Sequence, residues 1–354
     1  MSEGPPLVGV DLGATSIKVC QLKETRKGFG LIRLGYTPLE PQTIVDRHIM
    51  NSEAVVEALA RTFAENKIKE KSIAFSVSGQ SVISRKITVP IMTTAELDEQ
   101  IQWEAENHIP FDIKDVNVDY EILRRRPEAG QMDLLLVAAK RDEINDYVQI
   151  ARQAKLKPAV VDIDAFTIQN LFEYNRGLPA DQTFAIINVG ATQASINVIS
   201  RGVSAFTRDI ANGGNYITEQ IVKQIGVAYD QAESMKCSVG NPTAASQLPT
   251  KLFQVVDAVC DTIAGEIQRS LDFFLATSGE ERITRVFLTG GTSGLPQIAE
   301  AVGRRSRVPV ELMNPLERIT IEAKEVNQEL LAQRSAQFSV ALGLAMRRRK
   351  EKRQ

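Results

Sequence analysis

Val8-Gly9-Val10-Asp11-Leu12-Gly13-Ala14-Thr15 and Ile186-Ile187-Asn188-Val189-Gly190-Ala191-Thr192 are two versions of one phrase. Each is a β-branched apolar run that reaches a polar residue, then a glycine, then Ala-Thr. A second apolar run follows each, Ile17 to Leu22 and Ala194 to Ile199. The pattern predicts two strand–tight turn–strand hairpins whose turns expose backbone N–H groups and small hydroxyls. Asp11 and Asn188 stand half of the 354-residue chain apart, so the chain reads as two similar halves. A glycine turn from each half suggests a cleft that grips one anion from both sides. Phosphate is the commonest anion to need two such nests of backbone donors.

Three further pieces extend the pattern. Val286-Phe287-Leu288-Thr289-Gly290-Gly291-Thr292-Ser293-Gly294-Leu295-Pro296 reads as a buried strand, a Gly-Gly turn and a helix opening through Pro296. Glycines there let a flat group lie against bare backbone. Asn212-Gly213-Gly214-Asn215-Tyr216 is a second Gly-Gly turn, and Ala232-Glu233-Ser234-Met235-Lys236 is helical in pattern. No loop reads Gly-x-x-x-x-Gly-Lys-Ser/Thr and no Gly-x-Gly-x-x-Gly follows a strand, which excludes a P-loop and argues against a dinucleotide site. Each piece alone also has a plain reading. Asp11 fits a turn cap, Gly290-Gly291 fits an ordinary strand–helix connection, and Glu233 with Lys236 fits a solvated i,i+3 pair.

Composition bounds the function classes. With 354 residues and 43% hydrophobic side chains, the chain can bury a large core and should divide into two or more domains. A net charge of −2 gives no global basic field for nucleic acid. Cys20, Cys237 and Cys260 are far apart and read as reduced, partly buried thiols of a cytosolic protein. The two histidines, His48 and His108, belong to no metal-ligand spacing, and His108 before Ile109-Pro110 reads as packing. Met1-Ser2-Glu3-Gly4-Pro5-Pro6 lacks the features of a signal peptide, and no apolar run reaches the roughly 20 residues that span a bilayer. Phe338 to Met346 is apolar but short, and Ala341, Gly343 and Ala345 suggest a closely packed core helix. The tail Arg347-Arg348-Arg349-Lys350-Glu351-Lys352-Arg353 reads either as a solvated end or as a contact for an anionic membrane surface.

The pattern also sets the organisation. Ser52 is the expected cap of a helix from Glu53 to Asn66. From 72 to 155 the chain reads β-β-α-β-β-α, an insertion in the first half. Its strands are Ile73–Val77, Val82–Val89, Val116–Leu123 and Asp133–Ala139, with a turn at Pro127-Glu128-Ala129-Gly130. Thr94 is the expected cap of the helix Ala95–Asn107, Asp142 of the helix running to Ala154, and Ala159–Ile163 returns as a core strand. The expected division is 1–71 with 156–182 as the first core, 72–155 as a small α+β subdomain, 183–211 with 276–346 as the second core, 212–275 as a mostly helical subdomain, and 347–354 as a basic tail.

The five glycine-turn and helix pieces, in this order, resemble the actin-like ATPase superfamily, which includes actin, sugar kinases, heat-shock chaperones and the cell-division protein FtsA. The resemblance implies two related RNase H-like halves around a nucleotide cleft, with an FtsA-type insertion in the first half. It implies ATP and Mg²⁺ as ligands. Gly13, Ala14 and Thr15 with Ser16, and Gly190, Ala191 and Thr192 on the other side, would hold the phosphates. Gly213 and Gly214 would approach the terminal phosphate, Glu233 and Lys236 the ribose and adenine, and Gly290, Gly291 and Thr292 the adenosine. Asp11 would hold the metal through water. Lys18 stands where several such proteins place a phosphate-contacting lysine, and it reads equally as an exposed hairpin lysine. Asn188 is a departure, because the second hairpin of the superfamily ordinarily ends in Asp. Asp164, on the crossover after the insertion, is the candidate catalytic base with Asp11 beside it, and Asp162 is the second choice.

Gln100-Ile101-Gln102-Trp103-Glu104-Ala105-Glu106 with Ile109-Pro110-Phe111, Asp119-Tyr120-Glu121-Ile122-Leu123 and Val161-Asp162-Ile163-Asp164-Ala165-Phe166 narrow the match. They resemble the PilM family of type IV pilus assembly proteins over essentially the whole chain. That resemblance implies a cytoplasmic scaffold, peripheral to the inner membrane, that binds ATP and the N-terminal cytoplasmic peptide of PilN in a groove beside the insertion. PilO and PilP would connect through PilN, and cytoplasmic motor ATPases are further candidate partners. With Asn188 in place of a carboxylate, nucleotide is expected to be hydrolysed slowly or hardly at all. Alternatives on the same fold are an FtsA-like filament former and a small-molecule kinase.

Overall fold

The computed structural model describes residues 6–240, 242–322 and 326–348. The tail from Arg349 onward and the first five residues lie outside the described residues.

The first half opens with β1 (Val8–Leu12), β2 (Ser16–Thr25) and β3 (Gly28–Pro38), then the two-residue strands β4 (Ile44–Val45) and β5 (His48–Ile49), α1 (Ser52–Glu65) and β6 (Ser72–Val77). β7 (Val82–Pro90), α2 (Thr94–His108), β8 (Val116–Arg126), β9 (Gln131–Lys140) and α3 (Arg141–Gln153) follow, and β10 (Lys157–Ile163) and α4 (Asp164–Arg176) close the half. The second half holds β11 (Thr183–Val189), β12 (Ala194–Ser200), β13 (Val203–Ile210), α5 (Gly214–Ile225), α6 (Tyr229–Val239), α7 (Pro242–Ala245) and the long α8 (Thr250–Ser278). It continues with β14 (Val286–Thr289), α9 (Pro296–Ser306), β15 (Val310–Leu312), β16 (Thr320–Ile321), α10 (Gln328–Arg334) and α11 (Ser339–Ala345).

Both repeated phrases form the expected hairpins: β1 pairs antiparallel with β2, and β11 with β12. Each hairpin sits in a mixed sheet whose next strand is parallel to it, β6 beside β1 and β14 beside β11. The six-stranded sheet runs β10-β6-β1-β2-β3-β16 and the five-stranded sheet β13-β12-β11-β14-β15. All five residues of β1 and all seven of β12 are buried, so both strands are covered on both faces and carry Asp11, Ser195, Asn197 and Ser200 into the interior with their apolar neighbours.

The order β-β-α-β-β-α is present from Ser72 to Gln153, and the sheet pairing divides it. β6 belongs to the six-stranded sheet, whereas β7, β9 and β8 form their own antiparallel sheet in that order. That sheet packs with α2 around Leu97, Ile101, Met132, Leu134 and Leu136. Tyr147, Ile150 and Ala151 of α3 instead join the first-half core with Val8, Val10 and Phe75.

α11 is the helix expected from the small-residue stretch, and its closeness is extreme. A Cβ on Gly343 would lie 2.0 Å from the Thr167 carbonyl oxygen, and one on Gly9 would lie 2.0 Å from that of Ala341. Glycine here removes the obstacle to backbone contact between α4, α11 and β1.

Several local expectations are corrected. Asn51, not Ser52, caps α1, accepting from Ala54 N, and Thr93, not Thr94, caps α2 in a reciprocal capping box with Glu96. α3 has no side-chain cap; Asp142 lies in its first turn, where its charge favours the helix dipole. β10 is an edge strand with Val161 exposed, not a core strand. Cys20 and Cys260 are buried and Cys237 is exposed.

Candidate nucleotide-binding site

The β1–β2 register sets Asp11 directly across from Lys18. Cross-strand neighbours on one face meet, and Lys18 Nζ donates to Asp11 Oδ2 at 3.0 Å. Both residues are only 8% exposed, so Lys18 belongs to the site and is not an exposed hairpin lysine. A Cβ on Gly13 would lie 2.9 Å from Lys18 Nζ, so the glycine leaves room for the amine. The turn closes through Gly13 N donating to Ser16 O at 3.1 Å.

The second hairpin turn closes in the same way, with Gly190 N donating to Gln193 O at 2.9 Å. The Gly213-Gly214 turn is stitched onto it: Gly214 N donates to Gly190 O at 2.9 Å and Asn215 N to Ala191 O at 2.7 Å. A Cβ on Gly213 would fall 2.6 Å from Ala191 O, which accounts for that glycine. Thr292 Oγ1 also donates to Gly190 O, at 2.8 Å. Gly290, at φ +92°, leaves space that a Cβ would fill 2.3 Å from Asn188 Oδ1. Asn188, Gly190, Gly213, Gly214, Gly290 and Thr292 are therefore one contiguous group.

Lys236 joins them. Its Nζ donates to Gly214 O at 3.1 Å, Thr218 Oγ1 at 3.0 Å and Glu233 Oε2 at 2.6 Å, and it is 8% exposed rather than solvated. Burial would raise the Glu233 carboxyl, but Lys236 and the Thr218 hydroxyl hold it below the usual range. The open elements of the cleft are its turns. Among the described residues the amides of Ala14, Thr15, Ala191 and Thr192 donate to no protein acceptor. Two pairs of free donors, one from each half, fit a phosphate chain.

Asp164 is the first residue of α4 and accepts from Ser76 Oγ and from Ser78 Oγ, the latter at 2.8 Å. Burial pushes its carboxyl above the ordinary range, with Arg47 pulling the other way and Asp11 adding to the rise. A base so placed has the right direction of shift but spends both oxygens on hydroxyls. Asp162, the second choice, is excluded: it faces Arg347, whose Nε lies 2.9 Å from Asp162 Oδ2, and not the cleft.

Four residues outside every motif, Ser76, Ser78, Gln193 and Arg47, complete the site. Gln193 Nε2 donates to Ser78 Oγ at 2.9 Å, and Ser78 in turn reaches Asp164, so one chain of hydrogen bonds joins the two halves. The fourth, Arg47, is held at φ +71° in the loop between β4 and β5. Its guanidinium donates to Ser76 O at 3.2 Å, lies 4.0 Å from Asp164 Oδ2 and sits 5.6 Å from the centre of the Tyr147 ring. Only the recurrence of a polar residue after each Gly-Ala-Thr, Ser16 and Gln193, hinted at any of them.

Two hairpin-bearing halves meeting at such a cleft define the actin-like ATPase fold. The chain belongs to the PilM family of type IV pilus assembly proteins, whose pattern it matches over residues 9–349. The cell division protein FtsA of Staphylococcus epidermidis is 22% identical over 309 residues, covering 79% of this chain; the chain spans 64% of the length of FtsA. The solved PilM-PilN type IV pilus biogenesis complex is similar with a TM-score of 0.86 and 25% identity, over 99% of this chain and 100% of that one. MreB 5 of Spiroplasma citri bound to AMPPNP shares the fold at TM-score 0.54 and 13% identity, over 97% and 95% of the two chains.

Proposed function

We propose that this chain is an ATP-binding scaffold of the type IV pilus inner-membrane platform. It docks the N-terminal cytoplasmic peptide of a PilN partner and turns nucleotide over slowly or not at all. The observation that carries the scaffold reading is the likeness to the PilM-PilN complex along the full length of both chains. Among the described residues no helix is long and apolar enough to cross a membrane. In this reading the chain lies on the cytoplasmic side of the inner membrane, linked through PilN to PilO and PilP, with motor ATPases as further contacts.

The nucleotide reading rests on the four open turn amides and on Lys18. Phosphate oxygens would take those amides, and Lys18 would exchange part of its bond to Asp11 for the bound anion. Lys236 and Glu233 lie beside Gly214 where a ribose and base would enter, and the Gly290-Gly291-Thr292 turn would back the adenosine. A divalent cation bound with the nucleotide would supply positive charge to the phosphates. This chain offers it Asp11 through water, since Asn188 brings no charge and no cluster of three candidate ligands exists among the described residues. Asp164, tied to Ser76 and Ser78, would polarise water only after losing one of those bonds. Closure of the halves through Gln193–Ser78 would then tune the peptide site, a shift of populations rather than a chemical cycle.

Steady-state hydrolysis and equilibrium binding of a fluorescent ATP analogue test this together. Tight binding with turnover well below ~1 s⁻¹, an ordinary enzyme rate, supports the scaffold; turnover at or above it contradicts it. The match to FtsA favours one second reading, a nucleotide-dependent filament, which would sediment on addition of ATP where a scaffold stays in solution.

A further inference from the structure

The second half reaches the inserted sheet directly. The registers of β11, β12 and β13 set Asn188 across from Ser195 and Ser195 across from Asp209, so the three stand in a row on one face of the five-stranded sheet. Thr207, two residues before Asp209 on β13, shares that face. Asn197, across from Thr207, donates to Ala165 O at 3.3 Å and to Gln169 Oε1 at 2.9 Å, both on α4. The face therefore looks onto the first half.

Asp209 and Thr207 grip the chain where it leaves the first core for the insertion. Gly79 N, in the short link between β6 and β7, donates to Asp209 Oδ2 at 2.6 Å. The hydroxyls of Thr207 and of Ser84, on β7, share a hydrogen bond of 2.6 Å. β7 and β13 are each the outer strand of their sheet, so two sheet edges meet here. The residue before Gly79 is held from the cleft, because Gln193 Nε2 donates to Ser78 Oγ at 2.9 Å. Gly79 stands at φ +86°, and a Cβ there would lie 3.1 Å from Gln193 Oε1, so glycine permits both grips. Asp209 is exposed and makes no ion pair among the described residues. Its bond to Gly79 is charge-assisted yet open to water, a contact that can form and break. Ser195 Oγ, in the middle of the row, is buried without a hydrogen-bond partner, so the row is not fully satisfied in this arrangement.

We propose that Asp209 is a positioning residue that carries the state of the nucleotide cleft to the inserted sheet, an inference that rests on the nucleotide reading above. Phosphate on the amides of Ala191 and Thr192 fixes the turn that ends in Gln193 and draws the second half toward Ser78 and Gly79. The Asp209–Gly79 bond then sets the direction in which β7 leaves β6, and the Thr207–Ser84 bond holds β7 along β13. β9 and β8 follow β7, because the three strands form one sheet. Without Asp209 the closure of the cleft reaches Ser78 through Gln193 and goes no further. The ligand shifts the population of one contact between two sheet edges and needs no chemical step.

Amide hydrogen exchange of the full chain, with and without Mg-ATP, tests this by mass spectrometry. Peptides over the turns at 13–16 and 190–193 report nucleotide, and peptides over 79–90 report the coupling. In wild type, ATP should slow exchange in both sets, by at least about fivefold over 79–90, the lower end of ordinary coupling between sites. Asp209→Ala should keep the slowing at the turns and lose it over 79–90. Asp209→Asn, whose carboxamide oxygen still accepts from Gly79 N, should restore it. A merely structural Asp209 would raise exchange over 79–90 equally in both conditions and leave the ATP ratio intact, which overturns the proposal. Equal loss in the Asn variant places the effect on charge rather than on the bond, and overturns it too. Slowing at the turns of wild type without slowing over 79–90 overturns the proposal and leaves the nucleotide reading standing. Slowing at neither ends both.

Discussion

Lys18 Nζ lies 3.0 Å from Asp11 Oδ2, and the two residues stand directly opposite in the first hairpin, both nearly sealed from solvent. An ion pair in that setting is held by its own geometry, and removing one partner leaves the other charge without compensation.

Lys18→Met should therefore lose both stability and ligand. Breaking a buried pair costs about 3 kcal/mol or more, and ATP affinity should fall at least tenfold. The double variant Asp11→Asn, Lys18→Met should recover most of the stability without recovering binding. Thermal unfolding and fluorescent-nucleotide titration of the same samples separate the two effects.

Stability should also depend on pH through Asp164. Burial raises its folded-state pKa, so its carboxyl takes up a proton more readily folded than unfolded. Its contribution is complete below the ordinary carboxylate range and is lost as pH rises through the raised value. Burial gives Asp162 and Glu143 the same sign. Asp261, lowered to about 2 chiefly by its bond from Arg305, acts in the opposite sense. The difference between wild type and Asp164→Asn isolates the term: wild type should weaken relative to the variant as pH rises, measured by denaturant unfolding.

Asn188 is the departure that is expected to keep hydrolysis slow. Asn188→Asp adds a carboxylate near the end of β11, at the position that corresponds to Asp11 near the end of β1, and Mg²⁺ should then tighten ATP binding more than it does in wild type. Comparing the nucleotide affinity of both proteins with Mg²⁺ and with a chelator reads this directly. Identical metal dependence would show that Asn188 does not set the metal shell.

Gly343→Ala should destabilise the first half without touching the cleft. Its Cβ would meet the Thr167 backbone carbonyl oxygen at 2.0 Å, where no side chain can swing aside. Overpacking of this kind costs about 1–3 kcal/mol. A lower unfolding temperature with unchanged nucleotide affinity per folded molecule is the expected result.

Much of this was legible in the sequence because it depends on local pattern. The two hairpins are buried strands closed by glycine turns, and the Gly290 and Gly213 turns carry the same punctuation. The close packing of α11 was legible from Ala341, Gly343 and Ala345. What stayed hidden depends on register and on distant segments. Arg47 enters the site from a loop with no motif, and Ser78 and Gln193 meet only once the halves are assembled. Asp162 and Asp164 are two residues apart in sequence, yet the end of an edge strand faces one toward Arg347 and the start of α4 faces the other toward Ser76 and Ser78. Helix caps shifted by one residue, from Ser52 to Asn51 and from Thr94 to Thr93, because neighbouring polar residues compete for one role.

The most direct measurement is a calorimetric titration of the full chain with the N-terminal cytoplasmic peptide of its PilN partner, loaded with Mg-ATP and again nucleotide-free. The account expects micromolar binding, with an affinity that differs between the two conditions. No binding in either condition would contradict the scaffold, and equal affinity in both would contradict the nucleotide clamp.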